Sequence, residues 1–530
     1  MLKNSFPCSE FRSLPQLIKD FVGNKDQVIE FCDQFYSDEA VLSKLKKRTD
    51  FNVDRSLLHD ILVKQNHQIS LSESTKKNLL SLKNQNTFCI TTGHQLNLLG
   101  GPLYSIIKIA QAIAVAKHLN EKYQQYQFVP VFWMASEDHD FDEINHLNLF
   151  GKNIEWVKPV SESLIAGKIE TTTLSGVFDE IENLFRDNHE KEIIQKFHTY
   201  YLQQKNLAEA TRILYNEIFG AHGLIILDGN ERELKKLMIP VYKKEIVSQI
   251  VYNTVSKTNA LLEKFGYHHQ VHVRECNLFY IDEHNIRHRI IADGSRFTIG
   301  NLSYTPDELL KIIEDHPERI SPNALMRPVY QEMVLPNLVY VGGAGEISYW
   351  MQLRNLFNEL NVSFPILRLR DSVFILSPKQ REDLESLSLD ITDLQQDADY
   401  LMKQFVRENS GIEKEIAQAQ TALQKIKEKI AALVQHTDSG LSNLAEAEFV
   451  KMFASVKKIE EKLIKSQKQK DETTFNKIKK LRDQLFPDGS FAERKVNFLP
   501  YYLTYKTWID DLIRLLHENA SSPSVRLMYY

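Results

Sequence analysis

Glycine is scarce in this chain: 19 residues in 530, about half of the ~7% usual in soluble proteins. Cysteine is scarcer, with only Cys8, Cys32, Cys89 and Cys276, no C-x-x-C pair and no paired spacing. That excludes a disulfide framework or a zinc knuckle, and a reducing, cytoplasmic setting is expected. No stretch approaches the ~20 apolar residues of a membrane span, and the opening residues lack the apolar core of a signal peptide. Neither membrane insertion nor export is therefore expected. Charge of one sign is not in excess either: 65 Lys plus Arg face 70 Asp plus Glu, a formal net charge of −5. Nothing calls for nucleic acid or an anionic membrane as partner. What is present, 43% hydrophobic and 25% charged residues, is the make-up of a globular protein with more than one domain.

The first ~80 residues carry helical spacing, as in Leu14, Leu17, Ile18 and Phe21. From Thr87 the pattern changes to short apolar runs that end in Gly or polar clusters and are followed by helical stretches. Examples are TFCITTG then PLYSIIKIAQAIAVAKHL, and FVPVFWMA then a polar loop; similar runs lie at 223–229, 276–282, 288–294 and 337–343. Strand, loop, helix, strand is the mark of a parallel βαβ unit, so an α/β core is expected over 1–375, with insertions at roughly 155–325. Beyond Pro378 the glycine and strand signals nearly vanish. Ile412, Ile416, Ala419, Leu423, Ile426, Ile430 and Leu433 alternate spacings of four and three, and Phe449, Met452, Val456, Ile459 and Leu463 repeat them after a turn at 436–440. Such seams predict an antiparallel helical hairpin over 376–490, a solvated arm or a dimerisation arm. The apolar segment 491–530 is expected to return to the core.

Three loops hold candidate chemistry. Between a strand and a helix lies TTGHQLNLLGGPLY (Thr91–Tyr104), where a glycine loop and a helix N-terminus suit an anion such as phosphate. It is neither a Walker loop nor a dinucleotide fingerprint; His94 and Gln95 add side-chain donors able to stabilise phosphate charge. The second loop, ASEDHDFDEINH (Ala135–His146), is dominated by Glu137, Asp138, His139, Asp140, Asp142, Glu143 and His146. At the carboxyl end of a core strand it is placed to bind ligand, either as general acid and base or as donors to a divalent cation, the latter less favoured because the spacing fits no metal pattern. Third is VGGAGEISYW (Val341–Trp350), with Glu346 in the first helical turn. Upstream, Asn323, Arg327 and Gln331 recur every four residues and would share a helical face, with Arg327 either clamping a carboxylate or phosphate or pairing with Glu332 or Glu346. His268, His269 and His272 read as structural, since a strand would turn His269 away from the other two. Cys89 reads as core packing, and no G-x-S-x-G elbow marks a serine hydrolase.

Taken in order, Gly-His-Gln…Gly-Pro-Leu-Tyr, then Ser-Glu-Asp-His-Asp-Phe-x-Glu-Ile-Asn-His, then Arg-Pro…Leu-Pro…Tyr-x-Gly-Gly-x-Gly-Glu-Ile-x-Tyr, and finally Leu-Phe-Pro-Asp-Gly-Ser-Phe-x-Glu-Arg-x-x-Asn-Phe-Leu-Pro at 485–500, the chain resembles the BshC family of bacillithiol biosynthesis. The resemblance spans nearly the whole sequence. It implies a Rossmann-like core, similar to nucleotidyltransferases and class I aminoacyl-tRNA synthetases, with connecting insertions and a coiled-coil arm through which members form homodimers. The implied reaction joins cysteine to the amine of glucosaminyl-malate, with ATP or another nucleotide activating the carboxylate and Mg as a possible companion. On that reading Gly93, Gly101, Gly342, Gly343 and Gly345 line the nucleotide, His94, Gln95, Asp138 and His139 are catalytic, and Glu137, Asp140, Asn145, Asn323, Arg327, Gln331, Glu346 and Tyr349 bind substrate. No metal-ligand set is expected. A nucleotidyltransferase, a metal-dependent hydrolase of a related glycoconjugate, and a nucleotide-binding coiled-coil scaffold remain alternatives.

Overall fold

A computed structural model describes residues 4–47, 51–157 and 163–530, which form two compact units. The larger comprises Ser5–Val373 and Glu493–Met528; the smaller is Phe374–Ala492 with a few terminal residues.

The larger unit is Rossmann-like. Its five-stranded parallel sheet consists of β1 (Thr87–His94), β2 (Gln127–Met134), β3 (Ile225–Asp228), β4 (Asn337–Gly342) and β5 (Ile366–Leu369), in the spatial order β5-β4-β1-β2-β3. β1 and β2 pair without a break, from Thr87 opposite Gln127 to His94 opposite Met134. Strands buried on both faces read as near-continuous apolar runs, which makes these two legible in the sequence. The order reverses between β1 and β4, and open α/β sheets bind ligands at the carboxyl ends of strands flanking such a reversal. The chain leaves β1 through Leu99, Gly100 and Gly101, all with positive φ, before entering the buried helix α1 (Leu103–Lys122). Gly101 is obligatory there, because a Cβ would lie 2.4 Å from the Asn97 side chain. Helices α2 (Arg327–Val334) and α3 (Ala344–Gln352) flank β4 in the chain.

Two runs anticipated as further core strands belong elsewhere. Leu278–Ile281 and Arg287–Asp293 pair antiparallel in a separate sheet with Arg296–Ile299, Leu302–Tyr304 and Ile320–Pro322. In RHRIIAD the buried positions are interrupted by exposed ones, as in a half-solvated antiparallel strand. The stretch 268–276 is not a strand but a loop, so the strand-face argument about its three histidines does not apply.

In the smaller unit, α4 (Ile412–Thr437) and α5 (Ser442–Lys470) pack as a hairpin, with Lys427 donating to Glu446 at 2.6 Å. The expected seam splits in two. Ile412, Ile416, Leu423, Phe449 and Val456 are partly or fully buried, whereas Ile426, Ile430, Leu433, Met452, Ile459 and Leu463 are 40–64% exposed. A 3.5-residue repeat drifts by about 20° per heptad on a helix of 3.6 residues per turn, so one partner does not cover the whole stripe. Among the described residues no helix is long and apolar enough to cross a membrane.

Inside the larger unit, Gln331 and Asn337 each donate to Glu332 at 2.8 Å, and Thr91 donates to Asn337 at 2.8 Å. Burial pushes the Glu332 carboxyl from 4.5 up to about 8. A carboxyl raised in the folded state stabilises fully below its unfolded value and loses that contribution as pH climbs through the folded one. Glu332→Gln keeps an acceptor for both amides. It is expected to flatten the loss of stability between pH 5 and pH 8 by about 1–3 kcal/mol, measured by urea denaturation across that range.

Candidate active site

The three loops meet at the carboxyl ends of β1, β2 and β4. At one end of the site lies a group of cations. Lys108, on α1, is fully buried; its ammonium donates to the Gly93 carbonyl at 2.5 Å and to the Glu346 carboxylate at 2.7–2.8 Å. Glu346 also accepts from the Tyr340 hydroxyl at 2.8 Å and from the Gly343 amide at 2.9 Å. Burial alone would raise this carboxyl, but the Lys108 charge and the hydrogen bonds lower it to about 2. Arg327 donates to the Tyr349 hydroxyl at 2.8 Å. Arg370, just beyond β5, donates to the Asp371 carbonyl at 2.8 Å and lies 2.6 Å from the Glu493 carboxylate. The Tyr104 ring sits 5.2 Å from the His94 ring and 5.4 Å from the Arg370 guanidinium.

Within this group three buried polar atoms have no protein partner: His94 Nε2, Arg327 Nη1 and Arg370 Nε. A buried guanidinium N–H left unsatisfied costs about 1–3 kcal/mol, so Arg327 and Arg370 call for an acceptor, beside an imidazole nitrogen whose role the tautomer sets. Burial, followed by the Lys108, Arg370 and Arg327 charges, depresses the His94 imidazole from 6.5 to about 3. His94 is therefore a neutral group among fixed cations. Gly93 leaves room for this set, since a Cβ there would meet the Trp133 carbonyl at 3.2 Å and Arg327 Nη1 at 3.5 Å.

The other end is acidic. Gln95 donates to Asp138 at 2.7 Å and to Glu143 at 2.6 Å, drawing two carboxylates from the second loop to one amide. Burial opposes ionisation of Asp138, yet hydrogen bonds from His139 and Gln95 and the Arg287 charge hold it well below the usual carboxylate range. It is thus a permanent anion and a weak base. Arg287 Nη1 lies 3.3 Å from His139 Nδ1 and stacks on Phe279 at 3.9 Å. The same Nδ1 lies 3.7 Å from the Asp138 carboxylate, so the His139 ring sits between a guanidinium and a carboxylate.

Other anticipated residues are engaged elsewhere. Glu137 pairs with the buried Lys235. Asp140 accepts from the Glu143 amide, and Asn145 turns toward Glu155 and His146. Asn323 precedes α2 and accepts from the Leu325 and Met326 amides, so only Arg327 and Gln331 of the expected face lie on the helix, and Gln331 is fully buried beside Glu332. The helix is too short to hold all three, because Pro328 at its start fixes its first turn. Arg327 pairs with neither Glu332 nor Glu346 but with Tyr349. The Gly343 amide is taken by Glu346 and the Gly101 amide by the Leu98 carbonyl; Gly345 lies near Gln270, and Gly342 packs against Tyr340 and Glu346. Buried side-chain donors, rather than glycine amides, carry the unmet demand for an anion. Lys108, Arg370 and Glu143 complete the site; the signal for the first two was a cation within an apolar run. Among the described residues no three His, Cys, Asp or Glu side chains group to hold a metal.

Comparison with known families now bears on this arrangement. Residues 5–371 match the N-terminal Rossmann-like domain of bacillithiol biosynthesis BshC, and residues 373–522 match its C-terminal coiled-coil domain. The chain belongs to the BshC family. A protein of Flavobacterium psychrophilum named "Putative cysteine ligase BshC" is 37% identical over 517 residues, 96% of each chain. Relatives of the same name from Flavobacterium johnsoniae and Christiangramia forsetii are 37% and 36% identical, covering 92% and 98% of this BshC chain and 92% and 97% of their own. A crystal structure titled "putative arginyl t-RNA synthetase" from Campylobacter jejuni aligns at 11% identity and a TM-score of 0.21, covering 86% of this chain and 100% of that chain, a likeness too low to bear on the fold.

The neutrality of His94 is directly measurable. At pH 6, where an ordinary imidazole of pKa 6.5 is mostly protonated, NMR of the ring is expected to show His94 uncharged. A histidine depressed from 6.5 to about 3 leaves stability intact above 6.5 and erodes it as pH falls toward 3. His94→Gln is accordingly expected to lessen acid destabilisation between pH 6 and pH 4 in urea melts.

Proposed function

We propose that this protein is a ligase that joins the carboxylate of cysteine to the sugar amine of glucosaminyl-malate, forming an amide. Family membership and the name of its relatives support the reading. The observation that carries it is a site with two opposed ends: unpartnered nitrogens on His94, Arg327 and Arg370 at one, and the Asp138–Gln95–Glu143 group at the other.

A carboxylate does not acylate an amine at neutral pH until its oxygen is made a leaving group, and ATP or another nucleotide would supply that activation when bound. His94 and Arg370 suit its phosphates. Arg327, whose second arm is fixed by Tyr349, suits the malyl carboxylates. Neutral His94 can offer an N–H without adding a proton that must later be lost. Permanently ionised Asp138 holds the amine as its ammonium. Glu143, the exposed member of the pair, takes the proton that must leave before attack, and His139, between Arg287 and Asp138, helps to hold that carboxylate in place. Lys108 and Glu346 hold the end of β1 to the start of α3, so that His94 and Arg327 keep their relative place.

The arm has a role in this reading as well. Its uncovered stripe, including Leu433 at 64% and Ile459 at 54% exposure, supports a homodimer formed through the coiled coil.

Pure protein incubated with cysteine, glucosaminyl-malate and ATP is expected to yield bacillithiol with AMP or ADP, detected by mass spectrometry; absence of product with every nucleotide tried would overturn the reading. His94→Ala should lower kcat/KM by about 10²–10⁴-fold while the melting temperature holds. Arg327→Lys should raise the KM for glucosaminyl-malate by about tenfold with a smaller effect on kcat. Light scattering of the double variant Leu433→Glu, Ile459→Glu is expected to show a monomer where the parent is a dimer.

A further inference from the structure

The late motif at 485–500, with Glu493, Arg494, Asn497 and Phe498, has no part in the chemistry above, yet it runs along the cation end of the site. Glu493 is 1% exposed; one carboxylate oxygen lies 2.6 Å from Arg370 and the other accepts from the Val373 amide at 2.9 Å. Four residues on, Asn497 is equally buried. Its amide donates to the Leu99 carbonyl at 3.1 Å and the Gly101 carbonyl at 2.6 Å, bridging the turn of positive-φ residues between β1 and α1. Its own oxygen accepts from the Leu499 amide at 2.9 Å, and the Val496 carbonyl accepts from the Leu103 amide at 2.8 Å, at the first residue of α1. Phe498 covers Gly100, where a Cβ would meet the ring at 3.2 Å.

Two buried anchors thus grip the segment, one on Arg370 and one on the loop after His94. Between them Arg494 is exposed, and its guanidinium lies 5.9 Å from the centre of the Tyr104 ring. That ring also carries Arg370 at 5.4 Å and His94 at 5.2 Å. A long cationic side chain with its backbone fixed at both sides and its head over this ring is placed to close a fork on whatever anion His94 and Arg370 address.

We propose that Arg494 is a further anion-binding residue of the site, contacting a phosphate or carboxylate of the bound substrates, and that Glu493 and Asn497 are the positioning residues that hold it there. The inference rests on reading the cation end as an anion subsite. Because Arg494 is exposed, its replacement leaves the core intact, whereas a group that only decorated the surface would show no effect on binding.

Calorimetric titration of the full-length protein with pyrophosphate, and separately with L-malate, tests the assignment and tells the phosphate source from the carboxylate source. Arg494→Ala is expected to weaken whichever anion binds by about tenfold, with an unchanged melting temperature, and Arg494→Lys to recover part of the loss. Asn497→Ala is expected to weaken the same anion well below its own melting temperature and to raise the KM of the corresponding substrate more than it lowers kcat. Equal affinity in wild type and Arg494→Ala would overturn the inference and leave the subsite standing. If neither anion binds the wild type, the subsite falls and the inference with it.

Discussion

A single buried ion pair ties the site together. Lys108 on α1 and Glu346 on α3 meet across the point where the sheet order reverses, and each also holds a backbone group, the Gly93 carbonyl or the Gly343 amide. Removing one partner would leave a charge buried without compensation, a loss of the order of 3–5 kcal/mol. Replacing both with apolar residues could preserve the fold while erasing the electrostatic setting of His94. The pair therefore serves specificity of arrangement more than net stability. It holds the ends of two strands together and keeps a positive potential beneath an uncharged imidazole.

The polarity of the site follows from where the chain draws its charges. Lys108, Arg327 and Arg370 come from the elements around β1, β4 and β5, which belong to the rigid core. Asp138 and Glu143 come from a loop after β2 that is gathered to the core by one amide, Gln95. A fixed cationic end and a loop-borne acidic end suit a reaction in which one partner is activated as an anion and the other must shed a proton.

Much of this was legible from residues alone. β1, β2 and β4 stood out because fully buried parallel strands have continuous apolar runs, and the loops after them stood out because Gly, His and acidic residues interrupt those runs abruptly. β5 did not, since Arg368 and Arg370 break the run ILRLRD; both are buried, and Arg368 is satisfied by Asp371 and the Ala520 carbonyl, partners that only the fold brings near. Lys108 was hidden because α1 also carries Lys117 and Lys122, and only the fold shows that Lys108 is the buried one. The face shared by Asn323, Arg327 and Gln331 failed because four-residue spacing predicts a common face only if all three lie in one helix, and α2 begins at Arg327. The acidic loop was located correctly, but which of its members face the site depended on Lys235, which claims Glu137.

The drift of the apolar stripe along α4 and α5 has a consequence for how this arm responds to substitution. The side chains that close the hairpin and those left facing outward are different sets, successive along α4 and interleaved along α5. Substitutions in the outward set leave the hairpin's own packing untouched, so a change there acts on what the arm's surface meets and not on how the arm folds. A change in the inner set, by contrast, disturbs the packing of α4 on α5.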